Sequence, residues 1–256
     1  MIKQKRVAVV SGGSSGLGLQ ILRELHHQGF ECFNIDCKPC IEFPTIVADL
    51  SDIDQTHDAI QEVLGHCGGQ VDVLVNNLGV NKIVPFEDIT SEEFDQIYAL
   101  NAKATLFLAQ GFLPSLKTSK GTILNIISNA SEVPFTNSSL YNSSKAAQKM
   151  ITLQLGHESW RKGWGVTVFG ISPNKLEGPK DPEHKQPDES GMSTYILNAV
   201  SEANGWTPEQ TTKYQLTSLP SGKETSVHAL AEYIGFILGH KSRHEFFNKT
   251  VMPYGA

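Results

Sequence analysis

Tyr141 and Lys145 are the side chains of this sequence best suited to move a proton together. They close a stretch that starts at Ser128 and reads Ser-Asn-Ala-Ser-Glu-Val-Pro-Phe-Thr-Asn-Ser-Ser-Leu-Tyr-Asn-Ser-Ser-Lys. Ala147, Met150, Ile151 and Leu155 recur at helical spacing, so a helix is expected from Asn142 onward, with the phenol and the ammonium projecting from nearly one face. A phenol with a pKa of ~10 is a poor base at neutral pH. A cation about 4 Å away at an effective dielectric of ~20 contributes roughly 4 kcal/mol, enough to draw the phenol's pKa down towards neutrality and into range of proton transfer. Tyrosine and lysine at this spacing also occur on ordinary amphipathic helices as packing plus a solvated tail, so the surrounding elements must decide.

The first of these elements is a short, continuous apolar run, Val7 to Val10, which suits a strand covered on both faces in a parallel sheet. Ser11-Gly12-Gly13-Ser14-Ser15-Gly16-Leu17-Gly18 follows, and then Leu19, Leu22 and Leu25 at helical spacing up to Gly29. Strand, glycine-rich turn and helix in that order let a backbone approach a pyrophosphate, with amides of the helix start facing the anion. Glu31 to Ile35 reads as the second strand, and Asp36 ends it 18 positions after Gly18, near the ~20 expected of a carboxylate that binds a ribose diol. Such a carboxylate repels a 2′-phosphate, and the turn carries no Arg or Lys, so NAD is favoured over NADP, with Lys38 as a partial counterweight to Asp36.

Thr45 to Ala48 and Val71 to Val75 read as the third and fourth strands. The third ends at Asp49-Leu50, where Asp49 could hold an adenine amino group or cap the helix expected from Ile53 to Leu64. The fourth ends at Asn76-Asn77-Leu78-Gly79, at the strand ends where open parallel sheets bind ligands. Thr90 and Glu93 form a capping-box pattern for a helix through about Leu113, with Asn101 inside it despite its poor helix propensity. Thr122 to Ile127 and Val166 to Ile171 are the fifth and sixth strands; the fifth delivers Ser128 to the rim that holds the glycine turn. The proline-bearing stretch 174–222 sits at that rim as a candidate lid, with helical pieces near Met192 to Val200 and after Thr207. Val227 to Leu238 is a further helix, and Lys249 to Met252 an edge strand.

The chain has 256 residues, enough for a large core, and no linker divides it, so one domain over 1–256 is expected. A net charge of -6, with no basic run beyond Lys3 to Arg6, argues against nucleic acid and anionic membrane as partners. Val7 to Val10 is too short an apolar run for a signal peptide, and the run from Tyr233 to Leu238 is too short for a membrane span, which leaves the cytoplasm as the default location. Four cysteines do not make a disulfide scaffold. Cys32, Cys37, Cys40 and Cys67 imitate a plant-type iron-sulfur spacing, but Cys32 falls in an apparent strand, so ordinary thiols and no metal are expected.

Taken in order, these motifs resemble the short-chain dehydrogenase/reductase family over essentially the whole chain. Gly12, Gly16 and Gly18 match its cofactor glycines, Asp49 its adenine contact, and residues 76–79 its Asn-Asn-Ala-Gly sequence, while Asn101, Ser128, Tyr141 and Lys145 match its catalytic tetrad. The resemblance implies a doubly wound Rossmann-type α/β fold, with about seven parallel strands and helices on both faces. It also implies NAD(P)-dependent interconversion of a secondary alcohol and a ketone, and a homotetramer or homodimer. By the same resemblance Tyr141 exchanges the proton, Lys145 holds the nicotinamide ribose, Ser128 donates to the carbonyl oxygen and Asn101 fixes a water. The cofactor residues are then Gly12, Ser14, Ser15, Gly16, Leu17, Gly18, Asp36, Asp49, Leu50, Asn77, Gly79, Tyr141, Lys145 and Pro173.

The sequence departs from the family pattern in four places. Leu78 stands for a small alanine, where it would crowd the adenosine side; Phe169 stands for a common Asn; Pro173-Asn174 stands for Pro-Gly; and Gly178 stands for a threonine that binds the carboxamide. The substrate pocket is expected to draw on Asn129, Ser131, Glu132, Pro134 and Phe135, with Asn174, Lys175, Met192, Tyr195 and Trp206 from the insertion. Glu132 and Lys175 suggest a polar or anionic small molecule, unless both are solvated rim residues. Two other functions fit the same fold: a reductase of acyl-carrier thioesters, which needs a basic rim that this acidic chain lacks, and a nucleotide-binding regulator without turnover.

Overall fold

The computed structural model describes residues 5–177, 191–217, 219 and 221–239. Within them six strands form: β1 (Val7–Ser11), β2 (Glu31–Asp36), β3 (Thr45–Val47), β4 (Val73–Asn76), β5 (Thr122–Ile126) and β6 (Thr167–Ile171). All pair in parallel, in the order β3-β2-β1-β4-β5-β6. This is a doubly wound sheet whose connections reverse between β1 and β4, which opens a crevice at their carboxyl ends. The expected seventh strand at Lys249 to Met252 lies outside the described residues, as does Gly178.

The continuous apolar runs arise because β1, β4, β5 and β6 are buried along their whole length. Alternate side chains enter different cores. Val7 and Val9 join Leu108, Phe112 and Leu116 in one cluster, while Ala8 and Val10 join Leu17, Ile21 and Ile234 in the other. The first face is covered by α2 (Ile53–His66) and α4 (Ala104–Ser119), the second by α1 (Gly16–His27) and α8 (Val227–Gly239). Among the described residues no helix is long and apolar enough to cross a membrane.

Helix starts follow local chemistry. Asp52 caps α2 by accepting from the amides of Asp54 and Gln55 at 2.9 and 3.3 Å, so the capping role considered for Asp49 belongs to Asp52. Thr90 and Glu93 form the expected capping box at α3 (Ser91–Tyr98). The single helix expected through Leu113 is interrupted: a π-helical turn at Ala99–Lys103 separates α3 from α4, which then runs on through Pro114. Helix α5 (Ser139–Arg161) starts ahead of the expected Asn142. In the insertion, α6 (Gly191–Asn204) precedes α7 (Pro208–Thr217), where Thr207 and Gln210 exchange capping bonds of 2.8 and 3.3 Å.

One contact fixes how α1 leaves the sheet. A Cβ on Gly18 would overlap the Gly12 carbonyl oxygen and lie 2.5 Å from Asn77 Nδ2, so the turn closes tightly only around glycine. Gly18→Ala is expected to destabilise the protein by roughly 1–3 kcal/mol through this overlap. Gly65→Ala, at a helical position with nothing within 4 Å of the added carbon, is expected to be neutral or to stabilise by up to ~1 kcal/mol. Denaturant unfolding of both variants checks the pair.

Candidate active site

The glycine-rich turn is held from two sides. From β2, Asn34 Oδ1 accepts from the Gly13 amide at 2.8 Å and Asp36 Oδ2 accepts from the Ser14 amide at 3.0 Å. From the end of β4, Asn77 Nδ2 donates to the carbonyls of Ser11 and Gly12 at 3.1 and 2.9 Å, and the Leu78 amide donates to Ser11 Oγ at 3.2 Å. Gly12 adopts φ +68 and a Cβ there would meet Leu78 Cα at 3.1 Å, so glycine is required twice over. Ser15, at the cap position of α1, makes no side-chain capping bond, which leaves first-turn amides of α1 free for an anion. These features fit a dinucleotide: a turn braced by side chains, glycines where a side chain would intrude, and a carboxylate at the tip of β2. Asp36 would take the ribose diol, and the turn the pyrophosphate.

Other expected cofactor residues are placed differently. Leu50 is buried at 3 % exposure in the core cluster with Ile46, Ala48 and Ala59, so its side chain is a packing residue and only its backbone remains for a ligand. Leu17 is likewise a core side chain, at 6 % exposure. Asp49 is exposed at the end of β3, and its Oδ1 already accepts from the Ser51 amide and hydroxyl at 2.9 and 2.7 Å. Leu78 is partly buried and packs against the core cluster with Leu74 and Leu108. Phe169 is a core residue of β6. Cys32 is buried in β2, where burial pushes its thiol up to about 12; among the described residues no cluster of His, Cys, Asp and Glu is arranged to hold a metal.

The four residues expected to do chemistry come together at the carboxyl end of the sheet. Ser128 follows β5, and its hydroxyl lies in hydrogen-bonding contact with the Tyr141 phenol, accepts from the Ala130 amide at 3.1 Å and reaches Asn129 Oδ1 at 3.3 Å. Lys145 Nζ lies 5.8 Å from the Tyr141 ring centre and points inward, donating to the Ile126 carbonyl at 3.0 Å and Gln148 Oε1 at 2.8 Å. A Cβ on Gly79 would come within 3.0 Å of that ammonium, so Gly79 serves Lys145 as well as the crevice. Asn101 sits in the π turn, fully buried at 0 % exposure. Its Oδ1 accepts from the Val80 amide at 2.8 Å, and its Nδ2 donates to the Val80 carbonyl and Ser144 Oγ, both at 2.9 Å. One Oδ1 lone pair remains for the water expected there.

The electrostatics differ from the expectation of an acidified phenol. Burial raises the Tyr141 pKa, and the bond from Ser128 offsets this only in part. Burial also pushes the Lys145 ammonium down to about 7, so the cation that was to lower the phenol is itself costly to keep charged. The phenol is therefore protonated at neutral pH.

Most of the expected substrate contacts already have partners within the chain. Glu132 pairs with Lys149 at 2.8 Å and Lys175 with Glu224 at 2.5 Å, so neither offers a free charge to an ionic substrate. Asn129 Nδ2 donates to Asn174 Oδ1 at 3.0 Å, and the Asn129 amide donates to the Pro173 carbonyl at 3.2 Å. Tyr195 Oη accepts from the Ile83 amide at 3.2 Å, which ties α6 to the segment after β4. Ser131 Oγ donates to the Ser128 carbonyl at 2.8 Å, Trp206 packs edge-on against Tyr214 in the insertion, and Phe135 is 41 % exposed beside Pro134. Sequence reasoning missed the polar layer beneath the site, made of Thr105, Gln148, Asn76, Asn125 and Thr152, all at 3 % exposure or less. Its signal was available as polar residues at helical spacing on otherwise apolar faces, Asn101 with Thr105 and Lys145 with Gln148 and Thr152.

A family model described as short chain dehydrogenase matches residues 6–187. L-xylulose reductase of Bos taurus is 27% identical over 252 residues, covering 93% of this chain and 90% of that protein. An uncharacterized oxidoreductase of Staphylococcus epidermidis is 32% identical over 187 residues, covering 69% of this chain and 80% of that protein. Among solved structures, a variant actinorhodin polyketide ketoreductase with NADPH superposes with a TM-score of 0.84 at 21% identity, covering 100% of this chain and 98% of that one. Levodione reductase gives 0.82 at 21% identity, covering 98% and 96%.

The buried ammonium has a thermodynamic signature. Its folded pKa of about 7 lies below that of an unfolded lysine, so between there and about pH 10.4 the unfolded chain binds the extra proton and stability rises with pH; below about 7 the penalty is present in full. Lys145→Met is therefore expected to be more stable than the native chain by about 2 kcal/mol at pH 6, an advantage that shrinks towards pH ~10. Urea unfolding of both proteins across that range measures it.

Proposed function

Since this chain belongs to the short-chain dehydrogenase/reductase family, we propose that it is an NAD(P)-dependent oxidoreductase interconverting a ketone and a secondary alcohol, with Tyr141 as the general acid and base. The observation that carries this reading is the convergence of Ser128, Tyr141 and Lys145 at the carboxyl end of the sheet, next to a glycine turn fit for a dinucleotide. The nicotinamide, when bound, supplies or accepts the hydride.

The protein's own part follows from its proton inventory. With its phenol protonated at neutrality, Tyr141 gives its proton to the carbonyl oxygen as that oxygen becomes an alkoxide, and takes one back in the reverse direction. Ser128 has one O–H, shared between the Tyr141 phenol and a long 3.3 Å contact with Asn129, and it can turn to the same oxygen. Lys145 stabilises the phenolate left behind, provided it is charged. Carbonyl reduction is thus favoured at and below neutral pH and weakens as Lys145 loses its proton above about 7.

Asp36 supports NAD as the preferred cofactor, because a 2′-phosphate would meet a carboxylate already fixed by the Ser14 and Lys38 amides. The paired state of Glu132 and Lys175, together with the amides of Asn129 and Asn174, supports a neutral polar ketone over an anionic one. L-xylulose reductase among the relatives makes ketoses the first class to assay. Of the stretch 174–222, α6, anchored through Tyr195, is the described part of the single catalytic domain that would close over the substrate. Family membership supports a homodimer or homotetramer, and Phe94, Leu106 and Met150 leave apolar surface on α3, α4 and α5 for it.

A panel of neutral ketones and ketoses, assayed with NADH and NADPH, tests the reading. Tyr141→Phe is expected to lower kcat by about 10²–10⁴ while changing NADH affinity little; equal turnover by the variant on every active ketone would overturn the assignment. Asp36→Ser is expected to move the kcat/KM ratio of NADH to NADPH towards NADPH by about tenfold or more, read from the same assays.

A further inference from the structure

The chemistry above relies on Lys145 and leaves out the side chain that grips it from below. Gln148 lies almost one turn further along α5 and is 0 % exposed. Its Oε1 accepts from Lys145 Nζ at 2.8 Å, and its Nε2 donates to Thr105 Oγ1 at 2.9 Å. The orientation of this amide is fixed by proton bookkeeping: Thr105 has one hydroxyl proton and gives it to the Asn101 carbonyl at 3.1 Å, so Thr105 can only accept from Gln148, and the carbonyl end must face the ammonium. A leucine would fill such a buried position without the cost of desolvating an amide, so packing alone does not account for glutamine here.

We propose that Gln148 is a positioning residue that sets both the location and the proton affinity of Lys145; this rests on the reading of Tyr141 and Lys145 as the reacting pair. A neutral acceptor suits the task better than either alternative. An apolar side chain would leave the ammonium with only the Ile126 carbonyl and drive it towards the neutral amine. A carboxylate would hold the charge but cancel its field at the phenol. The neighbouring charges do not substitute for it. Lys103 of the π turn is exposed and acts on Asp52, Glu92 and Asp95 of α3 are exposed, Glu93 pairs with Lys82, and Glu132 pairs with Lys149. Tyr141, Gly79 and the Ile126 carbonyl also face Lys145, and among the described residues no carboxylate offsets the burial that lowers it.

The test is an NMR titration of the cofactor-free protein labelled with 13Cε-lysine, in which the Lys145 signal is the one lost in Lys145→Met. Gln148→Leu is expected to lower the proton affinity of Lys145 about tenfold and Gln148→Glu to raise it by about tenfold or more. The alkaline limb of the ketone-reduction pH profile is expected to move in the same two directions. Should Gln148→Leu not fold, Gln148→Met fills a similar volume and also lacks the acceptor. A Lys145 titration unchanged in both variants overturns the proposal, even if kcat or stability falls, because a merely structural glutamine would leave it unmoved. Opposed titration shifts in a protein with no Tyr141-dependent turnover would uphold the role of Gln148 and count against the proposed function, so the two fail separately.

Discussion

An ammonium group buried against uncharged acceptors is the constraint on which the site depends. Lys145 is 2 % exposed and is held by a backbone carbonyl and an amide oxygen, and among the described residues no opposite charge neutralises it. A charge in such a place is expensive, and the protein keeps it by surrounding it with oriented dipoles. Those dipoles form a connected layer: Gln148 binds Thr105, Thr105 binds the Asn101 carbonyl, and Asn125 bridges Asn76 and Thr152. The layer joins β4, β5, α4, α5 and the π turn, so the elements that form the crevice floor share one polar network. The network holds the charge in place, and the fold is less stable for keeping it.

The crevice itself depends on a second set of cross-links, between side chains of neighbouring strands and the backbone of the glycine turn. Asn34 and Asp36 grip it from β2, Asn77 from β4. Because these grips come from both sides of β1, the turn's shape does not need a bound ligand to hold it open. Tight packing of Gly12 against Leu78, and of Gly18 against Gly12, explains why the turn tolerates no side chain at those points.

Much of this was legible in the sequence because it depends on local pattern. Buried parallel strands announce themselves as continuous apolar runs, helices by period, and the turn by its glycines; all six described strands fall where those signals put them, within a few residues. The pairing of Tyr141 with Lys145 was legible for the same reason, since the two are neighbours along one helix. What stayed hidden depends on long-range geometry. The break between α3 and α4 leaves no mark in periodicity, and the contact made there, between Asn101 and Val80, spans 21 positions. Glu132 and Lys175 looked like substrate contacts because their partners, Lys149 and Glu224, are distant in sequence. The phenol's proton affinity was misjudged because spacing reports proximity to a cation but not the burial both groups share.

The π turn at Ala99–Lys103 carries a further consequence for how the chain can vary. In a regular helix each residue turns the ones after it by about a hundred degrees, and the wider π turn absorbs one residue's worth of that rotation. A one-residue deletion inside it therefore heals into α geometry with Thr105, Leu108 and Phe112 still in phase, but loses the bulge that carries Asn101 to Val80. The same deletion within α4, where no wide turn absorbs it, reorients every side chain that follows.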